Sequence, residues 1–225
     1  KNRLETDYID FIGSMRNGDQ IVCGRFKTYC IKPPEYKVSE LHFSGDKVNM
    51  NTVSQDTKGR VWLGSDGGIH VLDEQYRFLF DVQLMPRASV HCIFQKEEGT
   101  FLIGTSKGLL KLTLLPENHY SIESVPIANT RASVPAIFRD SLQRFWFGTQ
   151  YGLFLANAQL TEFQKFDFAD NIQSHVFNPG SIHRASNGMV FMGGQNGINY
   201  FRPELIAMTN QALDVSIQSI NINDG

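Results

Sequence analysis

The 225-residue sequence predicts an all-β chain, a β-propeller built of four-stranded antiparallel blades with about five blade units present. Three observations lead there. A glycine pair of the form G-x-x-x-G follows a dense apolar triplet four times: Gly64/Gly68, Gly104/Gly108, Gly148/Gly152 and Gly193/Gly197. The leading glycines advance by 40, 44 and 45 residues, and a further step of 40 back from Gly64 lands on Gly24, after Ile21-Val22-Cys23. Periods of this length with short strand patterns are those of propeller blades, which bury their faces against one another. Finally, the triplets, such as Phe145-Trp146-Phe147, are apolar on both sides of the strand and need cover on both.

The elements follow in order. The first unit, about residues 1–43, is degenerate, with Thr28 where the second glycine belongs, but strands fit at 8–12, 20–24, 28–32 and 37–43. The second, 44–83, has an inner strand at 51–55, a turn Asp56-Thr57-Lys58-Gly59, then strands at 60–64, 68–72 and 77–82. The third, 84–127, gives 90–95, 100–104, 108–114 and 120–125. The fourth, 128–168, gives 134–139, 144–148, 152–156 and 161–167. The fifth, 169–206, gives 180–184, 189–193 and 197–201, its outer strand left open. Residues 207–225 read as a closing strand or the start of a further domain.

Composition limits the function. With 41% hydrophobic and 20% charged residues and a formal net charge of −2, the chain can bury a sizeable core and has no bias toward nucleic acid. No run approaches the ~18 apolar residues that cross a bilayer, and Lys1-Asn2-Arg3-Leu4-Glu5 does not open into a signal-peptide core. Cys23, Cys30 and Cys92 lack C-x-x-C spacing, which argues against zinc and for free thiols used as small apolar fillers. A turn at Arg25-Phe26-Lys27 would set Cys23 opposite Tyr29 and send Cys30 to the other sheet face, disfavouring a bridge. The six histidines are scattered without metal-ligand spacing, and no carboxylate pair or nucleophile with a base stands out. Asp56 and Asp140 share one repeat position and read as turn caps. No catalytic residue, metal or cofactor is assigned.

Residues 56–69 run Asp-Thr-Lys-Gly-Arg-Val-Trp-Leu-Gly-Ser-Asp-Gly-Gly-Ile, which resembles the two-component regulator propeller repeat, D-x-x-G-x-Φ-W-Φ-G-[ST]-x-x-G-Φ with Φ apolar. Residues 140–153 are a second copy with Gln143 for the turn glycine; 96–109 and 185–198 are looser, without the aspartate and the tryptophan. The resemblance covers 48–203, and 191–204 is similar to the last repeat of such propellers, with 215–223 similar to the first strand of the immunoglobulin-like domain that follows. It implies the extracytoplasmic sensor region of a bacterial receptor, on the periplasmic or extracellular side of the inner membrane. Membrane contact would come only through downstream segments, which lead to a histidine kinase or diguanylate cyclase, and the full-length receptor could dimerise. Members often carry seven blades per ring, so five units suggest part of a larger sensor region. A non-signalling propeller, serving as an interaction scaffold or as part of a propeller lyase, is the alternative.

The strand reversals of a meander bring the loop before each inner strand and the loop between strands two and three to one side. The first set supplies Asn49, Arg87, His91, Arg131, His175 and Asn178; the second supplies Asp66, Lys107, Gln150, Tyr151, Gln195 and Asn196. These are hydrogen-bonding and aromatic types suited to a small polar solute or oligosaccharide, and unlike the glycines they differ between units. Arg87, His91, Arg131, Tyr151 and Asn196 are expected to converge near the central axis.

Overall fold

The computed structural model describes residues 4–5, 8–42, 48–127 and 131–208. They form a five-bladed β-propeller in which every blade is an antiparallel meander. Blade one holds β1 (Ile9–Ser14), β2 (Gln20–Gly24), β3 (Lys27–Lys32) and β4 (Lys37–Leu41). Blade two holds β5 (Met50–Gln55), β6 (Val61–Ser65), β7 (Gly68–Leu72) and β8 (Phe78–Gln83). Blade three holds β9 (Val90–Glu97), β10 (Thr100–Thr105), β11 (Gly108–Leu114) and β12 (Tyr120–Val125). Blade four holds β13 (Ala136–Arg139), β14 (Phe145–Thr149), β15 (Gly152–Ala156) and β16 (Phe163–Phe166). Blade five holds β17 (Phe177–Arg184), β18 (Val190–Gly194) and β19 (Gly197–Phe201).

The core lies between blades. Among the described residues it forms four layers, one per interface, each made by the apolar triplet of one blade and the inner strands of the next. Trp62 and Trp146, at equivalent repeat positions, are both fully buried, facing blades three and five. The leading glycine is where the next blade comes closest: a Cβ on Gly64 would lie 2.5 Å from Val90 Cγ1, and one on Gly104 would strike the Val134 carbonyl. Around the inside, Gly180 meets Phe11, since a Cβ there would fall 2.7 Å from the Phe11 ring.

Asp56 and Asp140 cap their turns and do more. Asp56 accepts from the backbone N–H of Lys58 and Arg60 at 3.0 and 2.9 Å, from Arg60 Nε at 2.7 Å and from Trp62 Nε1 at 3.0 Å. Asp140 repeats this with Leu142, Arg144 and Trp146 at 2.8–3.0 Å. The tryptophan of the repeat is thus anchored by the aspartate of its own turn.

Blade one departs from the expected register. Its turn is Arg25-Phe26, with Gly24 opposite Lys27, so Cys23 faces Thr28 and Cys30 faces Ile21. That one-residue shift places Cys30 on the same sheet face as Cys23, and both enter the layer against blade two. They remain free thiols. Their relation is diagonal, and diagonal neighbours sit about 7–8 Å apart, beyond ordinary disulfide reach. Blade five has three strands among the described residues. After β19 the chain enters a 3-10 turn, Pro203–Leu205, and Arg144 of blade four takes the carbonyls of Pro203 and Ile206, both at 2.6 Å. A proline cannot donate to a ladder, and those carbonyls are already engaged. Of the expected closing segment 207–225, only Ala207 and Met208 belong to the described residues.

With no following blade described, β18 and β19 expose Phe191, Ile198 (62%) and Tyr200 (68%). Their counterparts Trp62, Ile69 and Val71 are buried under blade three.

Candidate functional site

A feature invisible in the strand alternation recurs where the inner strands begin. In blade two, Met50 pairs with Ser65 and Thr52 with Gly64, which leaves Asn51 as an extra, unpaired residue. In blade three, Val90 pairs with Thr105 and Cys92 with Gly104, leaving His91 in the same place. In blade one the irregularity falls on Asp10, between Ile9 and Phe11, and in blade five it spans Asn178 to Ser181. A bulge breaks the ladder locally and re-aims the side chain of the extra residue. Blade four carries Pro135 just before Ala136, the residue facing Gly148, in the position Asn51 and His91 hold in their blades.

Of these, Asn51 bonds to Asp66, in the turn between β6 and β7, and Asp10 and His91 lie close enough to feel its charge. Asp66 Oδ1 accepts from Asn51 Nδ2 at 2.9 Å and Oδ2 from Asn49 Nδ2 at 3.2 Å, while its backbone carbonyl accepts from Arg87 Nε at 3.2 Å. The acceptor of the Asn49 amide, Oδ1, is buried and has no hydrogen-bond partner. An unmet buried acceptor is costly in a folded protein, so a water or a small shift of the side chain is needed to satisfy it. Burial lowers the pKa of His91, and the Asp66 charge partly opposes that. The Asp10 carboxyl is raised by burial and by the same Asp66 charge, with Arg25 opposing. Asp10, Asn51, Asp66 and His91 therefore share one electrostatic neighbourhood at the mouth of blades one to three.

The sign of the His91 effect sets an expectation. A histidine held below its ordinary value stays neutral in the fold while the unfolded chain protonates near pH 6.5, so stability is lost as pH falls below that point. Denaturant midpoints measured at pH 7.5 and 5.0 should differ less in His91→Gln than in the parent protein. An equal difference in the two would remove His91 from the acid response.

The other expected residues make contacts of their own. Arg131 and Lys107 line a groove between blades two and three. Lys107 and Tyr151 occupy equivalent turns, their N–H groups donating to Thr105 and Thr149 Oγ1 at 3.1 and 2.9 Å, and the Tyr151 ring is exposed. Gln150 precedes it in that exposed turn. The His175 carbonyl accepts from Gly152 N at 3.0 Å, its ring stacks on Phe168 at 3.8 Å, and its Nε2 is buried without a partner. Gln195 N donates to the Val176 carbonyl at 3.1 Å, and the Asn178 carbonyl accepts from Ser181 Oγ at 2.6 Å; Asn178, Gln195 and Asn196 are exposed. The described contacts thus join Asn49, Asp66, Arg87 and His91, and join none of Arg131, Tyr151 and Asn196 to them.

Sequence reasoning missed Asn51 and Asp10 because both were read as regular strand residues, Asn51 as the first of its strand. A signal existed: Asp10, Asn51, His91 and Asn178 are each the second residue of an inner strand, directly after an apolar residue, Ile9, Met50, Val90 or Phe177. Among the described residues no group of three or more His, Cys, Asp or Glu could hold a metal ion.

No family model matches the chain. Over 187 residues, 78% of its length, it is 23% identical to histidine kinase P4 of Formosa agariphila. The chain spans 13% of the length of that curated relative. The extracellular domain of a hybrid two-component system of B. thetaiotaomicron is similar in structure, with a TM-score of 0.72 and 18% identity, over 96% of this chain and 33% of that one. Virginiamycin B lyase from Staphylococcus aureus is also similar, with a TM-score of 0.64 and 13% identity, over 87% of this chain and 70% of that one. At these identities the solved structures establish the propeller fold.

Proposed function

We propose that this chain is part of a ligand-sensing extracytoplasmic propeller from a bacterial membrane receptor of the two-component type, and that it binds a small polar solute, with saccharides the first class to test, at the cluster around Asp66. The observation that carries the site is the partly exposed Asp66 carboxylate, held in place by Asn49 and Asn51. A sugar hydroxyl donates one hydrogen bond and accepts another, which suits a carboxylate flanked by Arg87 and the neutral His91. The receptor reading is supported by agreement between two independent likenesses, one in sequence to a histidine kinase and one in structure to a receptor ectodomain. It places the propeller on the periplasmic or extracellular side of the inner membrane, with signalling output and any dimer contacts supplied by other parts of the receptor.

The test is calorimetric titration of the folded chain with a panel of mono- and oligosaccharides and other small polar solutes. One solute class should bind saturably, and Asp66→Ala should weaken it by tenfold or more, about 1.4 kcal/mol. Thermal melts of the variant check that the blade stays folded. Binding unchanged in Asp66→Ala, Asn49→Ala and His91→Ala, or a crosslink to the opposite face around Lys58, Glu97 and Gln143, would overturn the site. In the full-length receptor the same solute should change kinase autophosphorylation; a solute that binds without any such change would favour a non-signalling propeller.

A further inference from the structure

The groove that Lys107 and Arg131 line runs along the segment that carries Arg87. It is a groove of about 620 Å³ between blades two and three, bounded by 83–88 on one wall and by β11, β12 and the turn after β10 on the other. Its floor is apolar, with Leu84, Ala88, Leu110 and Ile122, and Met85 stands exposed at the rim. Tyr120 Oη accepts from Gln83 N at 2.9 Å, tying the two blades together along the groove.

The polar part of the lining is one-sided. Among the described residues Lys107 and Arg131 are its charged ones, and none that lines it is acidic. Among the described residues neither cation forms an ion pair. Their positions are built into the scaffold. The Lys107 turn is clamped by Ser106 N donating to the Ser89 carbonyl at 2.9 Å and by Val134 N donating to the Thr105 carbonyl at 3.0 Å. Gly108, next to Lys107, lies against the Arg131 backbone, so the two groove-lining cations stem from adjoining segments.

We propose that this groove binds an amphipathic organic monoanion, its apolar body on the Leu84–Leu110–Ile122 floor and its carboxylate or sulfonate between Lys107 and Arg131. The volume is within the range of small-molecule sites, roughly 300–1,000 Å³. A carboxylate beside an apolar wall gains charge-assisted hydrogen bonds in a medium that screens them less than water does. A neutral chain of the same length lacks that anchor, and a cationic one meets two like charges. The groove takes its ligand whether or not the chain belongs to a signalling receptor.

The anionic dye 8-anilinonaphthalene-1-sulfonate tests this by fluorescence titration of the folded chain, with decanoate, 1-decanol and decyltrimethylammonium as competitors. The dye should bind saturably, decanoate should displace it, and the cationic chain should not. The double variant Lys107→Ala/Arg131→Ala, changed only at exposed side chains, should lose affinity by tenfold or more. Ile122→Trp, which fills the floor, should abolish binding while circular dichroism stays native; if it does not fold, the double variant decides alone. Equal affinity in the double variant, or equal competition by the cationic chain, would overturn the proposal. So would loss of the dye signal in Phe191→Ser/Ile198→Ser/Tyr200→Ser, which would put the dye on the exposed face of blade five. Because Asp66→Ala lies outside the groove, it should leave dye binding unchanged, which separates this site from the solute site.

Discussion

Replacing Trp146 with alanine should destabilise the chain by about 3–5 kcal/mol, the range for truncating a large aromatic in a close-packed core. The side chain is wholly buried and sits in an aromatic layer, with ring centroids 5.8 Å from Phe138, 5.7 Å from Phe166 and 4.9 Å from Phe201. Those partners come from β13, β16 and β19, so the cavity would open inside blade four and at its interface with blade five together. Rigid strands on either side limit collapse. Trp146→Phe keeps most of the ring and removes the Nε1–H that donates to Asp140, and should cost far less, about 1–2 kcal/mol. Chemical denaturation of both variants checks the pair. A loss below about 1 kcal/mol in the alanine variant would mean that the packing between blades four and five does not hold the fold as described.

Asp140→Ala should cost a similar amount, about 3–5 kcal/mol, through a different cause. The carboxylate is fully buried and accepts four hydrogen bonds, from two turn N–H groups, the Arg144 guanidinium and the Trp146 indole. Its removal leaves a buried cation and a buried indole N–H without their acceptor, and the unpaired groups set the penalty. Arg144 also holds the carbonyls of Pro203 and Ile206, so the segment after β19 should loosen in the same variant. Hydrogen exchange should report faster exchange at 203–206 in Asp140→Ala and little change in blade two, whose own aspartate is intact. The effects of Asp140→Ala and Trp146→Ala should be less than additive, because each removes the same Nε1–carboxylate bond. Strict additivity in a double-mutant cycle would show that this bond contributes nothing.

The blade count and most of the strands were legible because they rest on local, repeated constraints. An apolar triplet such as Val61-Trp62-Leu63 must be covered on both faces, and a glycine must follow wherever the next inner strand approaches as closely as Val90 approaches Gly64. The turn aspartate was legible for the same reason, since a carboxylate at that position reaches N–H groups two and four residues on. Its bond to the tryptophan six residues away was not, because that depends on two strand ends folding onto one another.

The candidate site divided in the same way. Strand reversal was enough to assign Asn49, Asp66, Arg87 and His91 to one side of the blades, but not to show that Asp66 gathers Asn49, Asn51 and Arg87. Asn49 and Asn51 reach Asp66 once β5 pairs with β6 inside blade two, and Arg87 reaches it from the segment that leads into blade three. Asp10 and Asn51 escaped because a bulge inserts one residue into a strand without changing its apolar character, and a one-residue slip reverses which face a side chain takes. The same sensitivity moved Cys30 to the Cys23 side when the first blade's turn shortened by one residue. Alternation, burial and turn chemistry act within a few residues, which is why the repeat, the strands and the buried tryptophans can be read from the amino-acid order. Where the bulges fall, which polar groups stay unpaired and which cations share a groove emerge only on folding, because they depend on strand pairing and on how neighbouring blades seat against one another.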